Sequence, residues 1–413
     1  MVLPFYLYAA ISFLAATILL FFESESFVTH YFQPHTLAVT HIMALGWATM
    51  IILGASHQLV PVIIEGKLYS NKLAYISFVL AALGIPFLVY GFYVFDMGGI
   101  AKWGGRFVLL SILFYVINLG KSIANSPSKN VHAVFIFTAA LWLFITAFLG
   151  LALVYNFTYP LMPHNSIHYL PLHAHVGIVG WFLLLIIGVG ARLIPMFLIS
   201  KYNNPKLLWM IYYLINASLI SFVILFYLPV SPGFYYFSLS ALLPAVVLFI
   251  FYCTKAYKQR MRRAVDEQMK ISLLSAAMMA LPLVLLAVII LFISITTKEN
   301  IRLVLCYGFL IFFGWITAII LGMTFKTLPF IVWNKVYHSQ SANGKTPSPK
   351  DLFHHGLFRL MSVFYLAGLM IFCAGIFTNE IIILKAGAAL LMATAFMYNM
   401  NIIKIILHKP SVQ

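Results

Sequence analysis

The sequence predicts an all-α membrane protein with about twelve transmembrane helices in three pseudo-symmetric four-helix arcs, and three observations support this. Hydrophobic residues make up 63% of the 413 residues and charged residues only 8%, so no soluble core could bury the apolar surface. Roughly twelve apolar runs have the length of about 20 residues that spans a bilayer. One motif occurs three times. We expect a single transmembrane domain over residues 1–413, with internal repeats at approximately 1–130, 131–270 and 271–413.

Each apolar run is predicted to form one helix. The runs begin near residues 4, 37, 73, 106, 131, 172, 207, 235, 272, 301, 357 and 380. The first, Pro4 to Phe22, is followed by Glu23 and Glu25 and not by a small-residue cleavage site, so we interpret it as a retained helix. All nine acidic residues fall in loops or at helix ends. The spans therefore lack the buried carboxylates on which proton pumps and ion-coupled transporters usually rely.

The positions of the basic residues predict how the chain is oriented. Most of them fall in alternate loops: Lys67, Lys72, Lys121, Lys129, Lys201, Lys206, Lys255, Lys258, Arg260, Arg262, Arg263, Lys335, Lys345 and Lys350. Because positively charged loops stay in the cytoplasm, we expect a multi-pass protein of the bacterial inner (cytoplasmic) membrane with both termini cytoplasmic. The formal charge of +16 then reflects orientation and anionic lipid headgroups. The lipid bilayer is the predicted partner, and nucleic acid is not.

The motif G-W-x6-G-x6-P-x5-K occurs in the second, sixth and tenth predicted helices. Its tryptophans, Trp47, Trp181 and Trp315, are 134 residues apart in both intervals. Five matching positions in three equally spaced places indicate an internal repeat. The glycines allow neighbouring helices to approach closely, and the lysines can reach the headgroups. The motif alone therefore predicts architecture and not chemistry.

The three repeats differ six residues before the tryptophan, where His41, His175 and Phe309 stand. An ionisable residue inside a span is costly and usually faces an interior or a partner. The simpler interpretation is that each histidine bonds a headgroup or a backbone carbonyl near the membrane surface. The repeat favours the ligand hypothesis, because it places His41 and His175 at one depth on helices that should face a common axis.

Other histidines lie close to these two in the sequence. His173 precedes His175 by two residues, so on a helix the two rings point to different faces. The pair can serve two centres, or one histidine can be a ligand and the other a bystander. His35, His164 and His168 lie in or beside predicted loops, where they would form an outer metal-loading group or would simply be solvated.

His57 is a separate case. It lies about 24 Å from His41 along the same predicted helix and on nearly the opposite face, so the two cannot share a ligand. We expect His57 to make a polar contact near the cytoplasmic end of the helix, beside Gln58.

The residue types suggest a cofactor. Imidazole is a common axial ligand of heme iron and a good ligand for copper. Two histidines from two helices suit a bis-histidine, b-type heme, which is the predicted cofactor, with copper as the second candidate. We expect His41 and His175 to be its axial ligands. A wide, flat cofactor also needs small residues beside it, and Gly46, Gly177 and Gly180 follow the two candidate ligands closely.

The spans, the threefold repeat and the histidines of the second and sixth helices resemble the catalytic-subunit superfamily of heme-copper oxidases and nitric oxide reductases. The resemblance covers nearly the full chain and is greatest to shorter subunit I-like proteins, including NnrS-type heme-copper membrane proteins. In that superfamily the second helix supplies an axial heme histidine, which implies this role for His41. The sixth helix supplies a metal ligand, which implies that role for His175 or His173.

The sequence also departs from that superfamily. An oxidase has His-x-x-x-Tyr in the sixth helix, a His-His pair after it and His-x-His in the tenth. Here the sixth helix continues His175-Val-Gly-Ile-Val, and the seventh and tenth have no histidine. We therefore expect electron transfer or the handling of a diatomic gas such as nitric oxide, and not full oxygen reduction. The implied partner is an electron donor or a respiratory complex, and whether the protein is an oxidoreductase stays open.

Three alternatives differ from this hypothesis in class. A transporter would bind its substrate in the middle of the bilayer, where the sequence offers few polar groups. A scaffold that has lost its cofactors would only stabilise a neighbouring complex. A copper-handling protein would gather the metal on an outer cluster made of His35, His41, Met43, His164, His168, His173 and His175.

Overall fold

The predicted fold class is confirmed by a computed structural model, which describes residues 2–128, 130–261, 264–337 and 346–409. In these ranges the chain forms no β-strand, and twelve helices are long and apolar enough to cross a membrane. They are α1 Val2–Phe22, α2 Pro34–Ile63, α3 Asn71–Tyr93, α4 Gly99–Ala124, α5 Val131–Asn156, α6 Leu170–Leu198, α7 Pro205–Phe226, α8 Pro232–Lys258, α9 Glu267–Thr296, α10 Ile301–Tyr337, α11 His355–Thr378 and α12 Ile381–Ile406.

The helices pack mainly against their neighbours in sequence. The closest pairs are α3 with α4, α11 with α12 and α7 with α8, and α1 also packs on α12, which closes the bundle. Helix α4 packs against α5 across the predicted boundary between the first two repeats. Because the contacts continue across this boundary, the division into three arcs stays a prediction. The basic residues Lys129, Arg262, Arg263 and Lys345 lie outside the described ranges, and the orientation of the chain also stays a prediction.

The motif helices α2, α6 and α10 are the most buried of the twelve. We call the end of the bundle that holds His41 and His175 the histidine end. The opposite end, toward which the motif runs to Lys67 and Lys201, is the lysine end. The nine acidic residues lie in loops or at helix ends, as predicted. Among them, Glu267 at the start of α9 pairs with Arg359 of α11 at 2.5 Å.

Each motif helix contains a π-helical segment at the same place in the repeat. The segments are Ile42–Thr49, Val176–Leu183 and Leu310–Ile316, and each begins directly after the position six residues before the tryptophan. A π-helical turn is wider than an α-helical turn, and such turns are frequent at functional sites. The backbone is therefore widened three times beside the candidate ligand position.

The second glycine of each motif lies against another helix. A Cβ added at these glycines would lie 2.3–2.6 Å from atoms of that helix: Gly54 from Phe5 of α1, Gly188 from Phe135 of α5, and Gly322 from Ser272 of α9. Only a residue without a side chain permits this approach. The glycines thus let each motif helix lie directly on one neighbour, as small residues do in membrane bundles.

Two indole hydrogen bonds join the motif helices to one another. Nε1 of Trp47 donates to Oγ1 of Thr317, and Nε1 of Trp181 donates to Oγ1 of Thr49, both at 3.1 Å. Each threonine stands two residues after the tryptophan of its own helix. Equivalent hydrogen bonds therefore link α2 to α10 and α6 to α2. Leu183 of α6 stands two residues after Trp181, at the position that threonine occupies in α2 and α10.

Candidate functional site

A cavity of about 560 Å³ lies at the histidine end, between the motif helices and their neighbours. Its lining is mainly Leu, Ile, Val and Phe, and its polar lining includes His41, His173, His175 and Tyr307. Small-molecule and cofactor sites have volumes of about 300–1,000 Å³ and combine apolar walls with a few convergent polar groups. The cavity therefore has the size and the chemistry of a ligand site.

His41 lies in the second turn of α2. Its Nδ1 is 2.8 Å from the carbonyl oxygen of Leu37, four residues earlier, and this carbonyl can only accept a hydrogen bond. In the neutral ring Nδ1 therefore carries the proton, and the lone pair lies on Nε2. Within the described residues Nε2 makes no hydrogen bond. A metal-ligating imidazole is commonly held in this way, with its other nitrogen bonded to a carbonyl.

His173 lies opposite His41. The centres of the two imidazole rings are 6.4 Å apart, and the ring planes differ by 16°. Nδ1 of His173 is buried and has no hydrogen-bond partner within the described residues. The ring lies against Gly150 of α5, where an added Cβ would be 2.8 Å from Cε1 of the imidazole. This glycine therefore leaves the space that the ring occupies.

The separation of the two rings fits a pair of ligands to one metal. Metal–imidazole bonds are about 2.0–2.1 Å long, so two imidazoles bound in line to one ion have ring centres about 6 Å apart. The rings of His41 and His173 are 6.4 Å apart. Together with the unbonded Nδ1 of His173, this separation fits a metal held between two histidines, as in a bis-histidine heme.

His175 has a different partner. Its Nδ1 donates to the carbonyl oxygen of Pro171 at 2.7 Å, which leaves the lone pair on Nε2, as in His41. The hydroxyl of Tyr307 on α10 is 3.2 Å from this Nε2 and donates to it. The structure thus brings His41 together with His173, and not with His175 as the sequence analysis expected of the axial pair.

The two pairs occupy equivalent places in the repeat. His41 of α2 faces His173 of α6, and His175 of α6 faces Tyr307 of α10. In both pairs the first residue stands six positions before the tryptophan of its helix, and the second stands eight positions before the tryptophan of its own helix. The third such residue, Phe309, stacks on Phe372 with ring centres 4.3 Å apart. The sequence analysis missed Tyr307. Its spacing of 134 residues from His173 is the signal by which it could have been found.

The predicted outer metal cluster does not come together. Nδ1 of His35 pairs with Glu23 at 2.7 Å. The rings of His164 and His168 lie 4.4 Å apart in the loop before α6, beside Phe226. Across the described ranges no three His, Cys, Asp or Glu side chains gather where they could hold one metal ion. This geometry leaves a site of two histidines as the candidate.

The loops at the histidine end place a carboxylate in the lining of the cavity. The hydroxyl of Tyr31, in the loop before α2, donates to Glu299, in the loop before α10, at 2.9 Å. Burial, the hydrogen bond and the negative charge of Glu299 raise the pKa of the Tyr31 phenol above its ordinary value. The phenol therefore stays protonated at neutral pH and keeps this contact. The described lining contains no Lys or Arg.

His57 does not make the polar contact that was expected of it. Both ring nitrogens are buried and have no hydrogen-bond partner within the described residues. The ring lies among aromatic side chains, with its centre 5.5 Å from that of Phe5 and 5.7 Å from that of Tyr115. The expectation failed because the ring points into the bundle, away from the polar lysine end.

Comparison with known proteins does not assign the chain to a family. No protein-family model matches the chain, and no curated protein matches it. The resemblance to the heme-copper oxidase superfamily therefore rests on the spans, the repeat and the histidines.

Proposed function

We propose that this protein is a heme-binding membrane protein related to the subunit I-like proteins of the heme-copper oxidase superfamily, and that His41 and His173 are the axial ligands of a b-type heme. The observation that carries the proposal is the separation of 6.4 Å between the two nearly parallel imidazole rings. The cavity of about 560 Å³ around them supports it, because a large apolar cofactor needs apolar walls.

The residues of the site have separable roles in this proposal. The carbonyl of Leu37 fixes the tautomer of His41 and leaves the lone pair on Nε2. His173 supplies the second imidazole, and the mainly apolar lining supplies walls for a large apolar cofactor. A heme held there supplies one-electron transfer or, if one ligand is displaced, the binding of a diatomic gas such as nitric oxide. Two histidine ligands favour electron transfer, so an electron donor or a respiratory complex is the proposed partner.

The proposed function includes a membrane location for the protein and excludes full oxygen reduction. The protein is placed in the bacterial inner membrane with both termini in the cytoplasm, which follows from the loops that carry the basic residues. Full oxygen reduction is not part of the proposed function, because the chain has no histidine in α7 or α10 to complete a heme-copper centre. The copper-handling alternative is weakened, since no three of its histidines gather around one point in the described residues.

Optical spectra of the purified protein test the proposal. We expect a Soret band and sharp α and β bands in reduced-minus-oxidised spectra after expression with a heme supply. His41→Ala and His173→Ala should each abolish the six-coordinate spectrum, because each removes one axial imidazole. Absence of any Soret band in the wild-type protein would refute the proposal.

His175→Ala is the matched control for the axial pair. His175 lines the same cavity and stands at the position equivalent to His41, but its Nε2 is bonded to Tyr307. We therefore expect this variant to keep the six-coordinate spectrum. If His175→Ala loses it while His173→Ala keeps it, the axial pair is His41 and His175, and the assignment made from the ring geometry is wrong.

A further inference from the structure

A second group of polar atoms is buried in the half of the bundle toward the lysine end. The imidazole of His57 is only 5% exposed and the phenol of Tyr115 only 1%. Nδ1 and Nε2 of His57 and the hydroxyl of Tyr115 have no hydrogen-bond partners within the described residues. Buried polar atoms are nearly always bonded in native proteins, so unpaired ones usually mark a bound water or other ligand.

The neighbouring protein groups do not complete these hydrogen bonds. The backbone carbonyl of Leu53 lies near His57 and the hydroxyl of Ser56 lies near Tyr115, but this hydroxyl donates to the carbonyl of Leu53 at 3.0 Å. The imidazole of His57 lies beside the ring of Phe5, and Phe5 packs in turn on Phe78 with ring centres 4.9 Å apart. The ring of Tyr115 lies 6.3 Å from that of Trp181, but the indole hydrogen of Trp181 is already donated to Thr49. The other neighbours are aromatic, and the donors of Trp181 and Ser56 are already used in other hydrogen bonds.

The packing of α1 on α2 holds His57 in this place. Gly54 stands one turn before His57, and a Cβ added there would lie 2.6 Å from the Cβ of Phe5. The glycine lets α1 lie close enough for Phe5 to cover the imidazole. His57 therefore cannot turn to a solvated position without parting the two helices.

We propose that His57 and Tyr115 bind internal water, with a water molecule bridging an imidazole nitrogen to the phenol hydroxyl. The chemistry of the two groups selects this ligand. A neutral imidazole presents one donor and one acceptor, and a phenol presents both, so their common ligand must donate and accept. It must also be small, because the ring centres are only 5.7 Å apart. Internal waters typically occupy such polar sites and make about three hydrogen bonds.

The site is independent of the proposed heme. His57 lies about 24 Å from His41 along α2. Neither His57 nor Tyr115 lines the cavity at the histidine end, although their neighbour Trp181 does. The consequence of this site is a hydrated, proton-exchanging position inside a bundle whose described spans hold no carboxylate in their interior.

Radiolytic hydroxyl-radical labelling of the protein in nanodiscs tests this proposal. X-rays produce radicals from bound water in place, so a buried tyrosine beside water is oxidised although bulk solvent does not reach it. We expect Tyr115 to be labelled several-fold faster than Tyr365. Tyr365 is the matched control, because it is also buried but its hydroxyl donates to the carbonyl of Gly314 at 2.6 Å.

Two variants complete the test. His57→Phe removes the imidazole and should reduce labelling of Tyr115 to the rate of Tyr365. If this variant does not fold, Tyr115→Phe serves instead, and oxidation of His57 should fall in it. Labelling of Tyr115 at the rate of Tyr365 in the wild-type protein would overturn the proposal, as would unchanged labelling in His57→Phe.

Discussion

Equivalent residues in the repeat acquire different chemistry from their partners. His41 and His175 both donate from Nδ1 to the carbonyl four residues earlier, at 2.8 and 2.7 Å. Both are thus prepared as Nε2 ligands. The Nε2 of His175 accepts a hydrogen bond from the hydroxyl of Tyr307, whereas the ring of His41 lies 6.4 Å from the ring of His173. The same hydrogen bond from Nδ1 therefore orients a candidate ligand in one repeat and an acceptor for a tyrosine hydroxyl in the next.

At the same scale, the hydroxyl of Thr317 should stabilise the contact between α2 and α10. Thr317→Val keeps the shape of the side chain but leaves the fully buried indole nitrogen of Trp47 without an acceptor. We expect the free energy of unfolding to fall by about 1 kcal/mol, the usual size of such a bond inside a membrane. Unfolding of the purified protein in SDS-containing mixed micelles would measure it.

Thr254→Val is the control for this substitution. Thr254 is exposed on α8, and its hydroxyl donates only to the carbonyl of Ile250 in its own helix, at 2.8 Å. This change should alter the stability by less than about 0.5 kcal/mol. Equal losses in both variants would show that the indole bond contributes nothing of its own.

At the scale of the helix, the repeat in the sequence is accompanied by a repeated feature of the backbone. The three π-helical segments begin at Ile42, Val176 and Leu310, which are spaced by 134 residues like the tryptophans. The sequence analysis predicted three helices but not their wide turns, because a π-turn depends on how the helix packs and has no composition of its own. The motif glycines were correctly predicted to permit close packing.

Adding one methyl group at a motif glycine should disrupt a helix contact. The Cβ of Gly322→Ala would lie 2.3 Å from Oγ of Ser272 and 2.7 Å from the backbone oxygen of Gln268. The backbone of α9 cannot rotate away as a side chain can. We therefore expect a loss of about 2 kcal/mol or more, or a failure to accumulate folded protein. Thermal unfolding followed by size-exclusion chromatography would report it.

Gly356→Ala provides the comparison. No atom lies within 4 Å of a Cβ added at Gly356, in the first turn of α11. Alanine is also the better helix former, by about 1 kcal/mol. This variant should be as stable as the wild-type protein or slightly more so. If Gly322→Ala behaves in the same way, the close contact between α10 and α9 does not exist.

At the scale of the molecule, the bundle encloses its candidate site by bringing distant helices together. Residues from α2, α6 and α10 line the cavity at the histidine end, and loops before α2 and α10 add Tyr31 and Glu299. The closure of α1 on α12 makes the bundle continuous. These features place the candidate ligands near one end of the bundle.

The orientation in the membrane can be tested with single cysteines. In a chain whose Cys253, Cys306 and Cys373 have been changed to serine, Gly99→Cys lies at the histidine end and Lys67→Cys at the lysine end, and both positions are exposed. We expect a membrane-impermeant maleimide to label residue 99 in intact spheroplasts and residue 67 only after lysis. Labelling of residue 67 before lysis would place the basic loops and both termini outside.

Composition and run length were sufficient to predict the class, the number and the approximate starts of the helices. The reason is that every backbone group in a bilayer must be bonded within its own helix, so about 20 apolar residues can adopt only one structure. The equal spacing of the tryptophans likewise predicted which residues are equivalent. These properties depend on neighbouring residues and are readable along the chain.

The partner of each buried polar group was decided only by the tertiary structure. His175 and Tyr307 are 132 residues apart and meet because of the rotation of α6 and α10 about their own axes. The rotation of α6 also turns His173 toward His41, and the rotation of α2 turns His57 into an aromatic layer. A rotation of a helix changes no residue in its sequence. It is set by the fit of side chains between helices, which no single stretch of the chain contains.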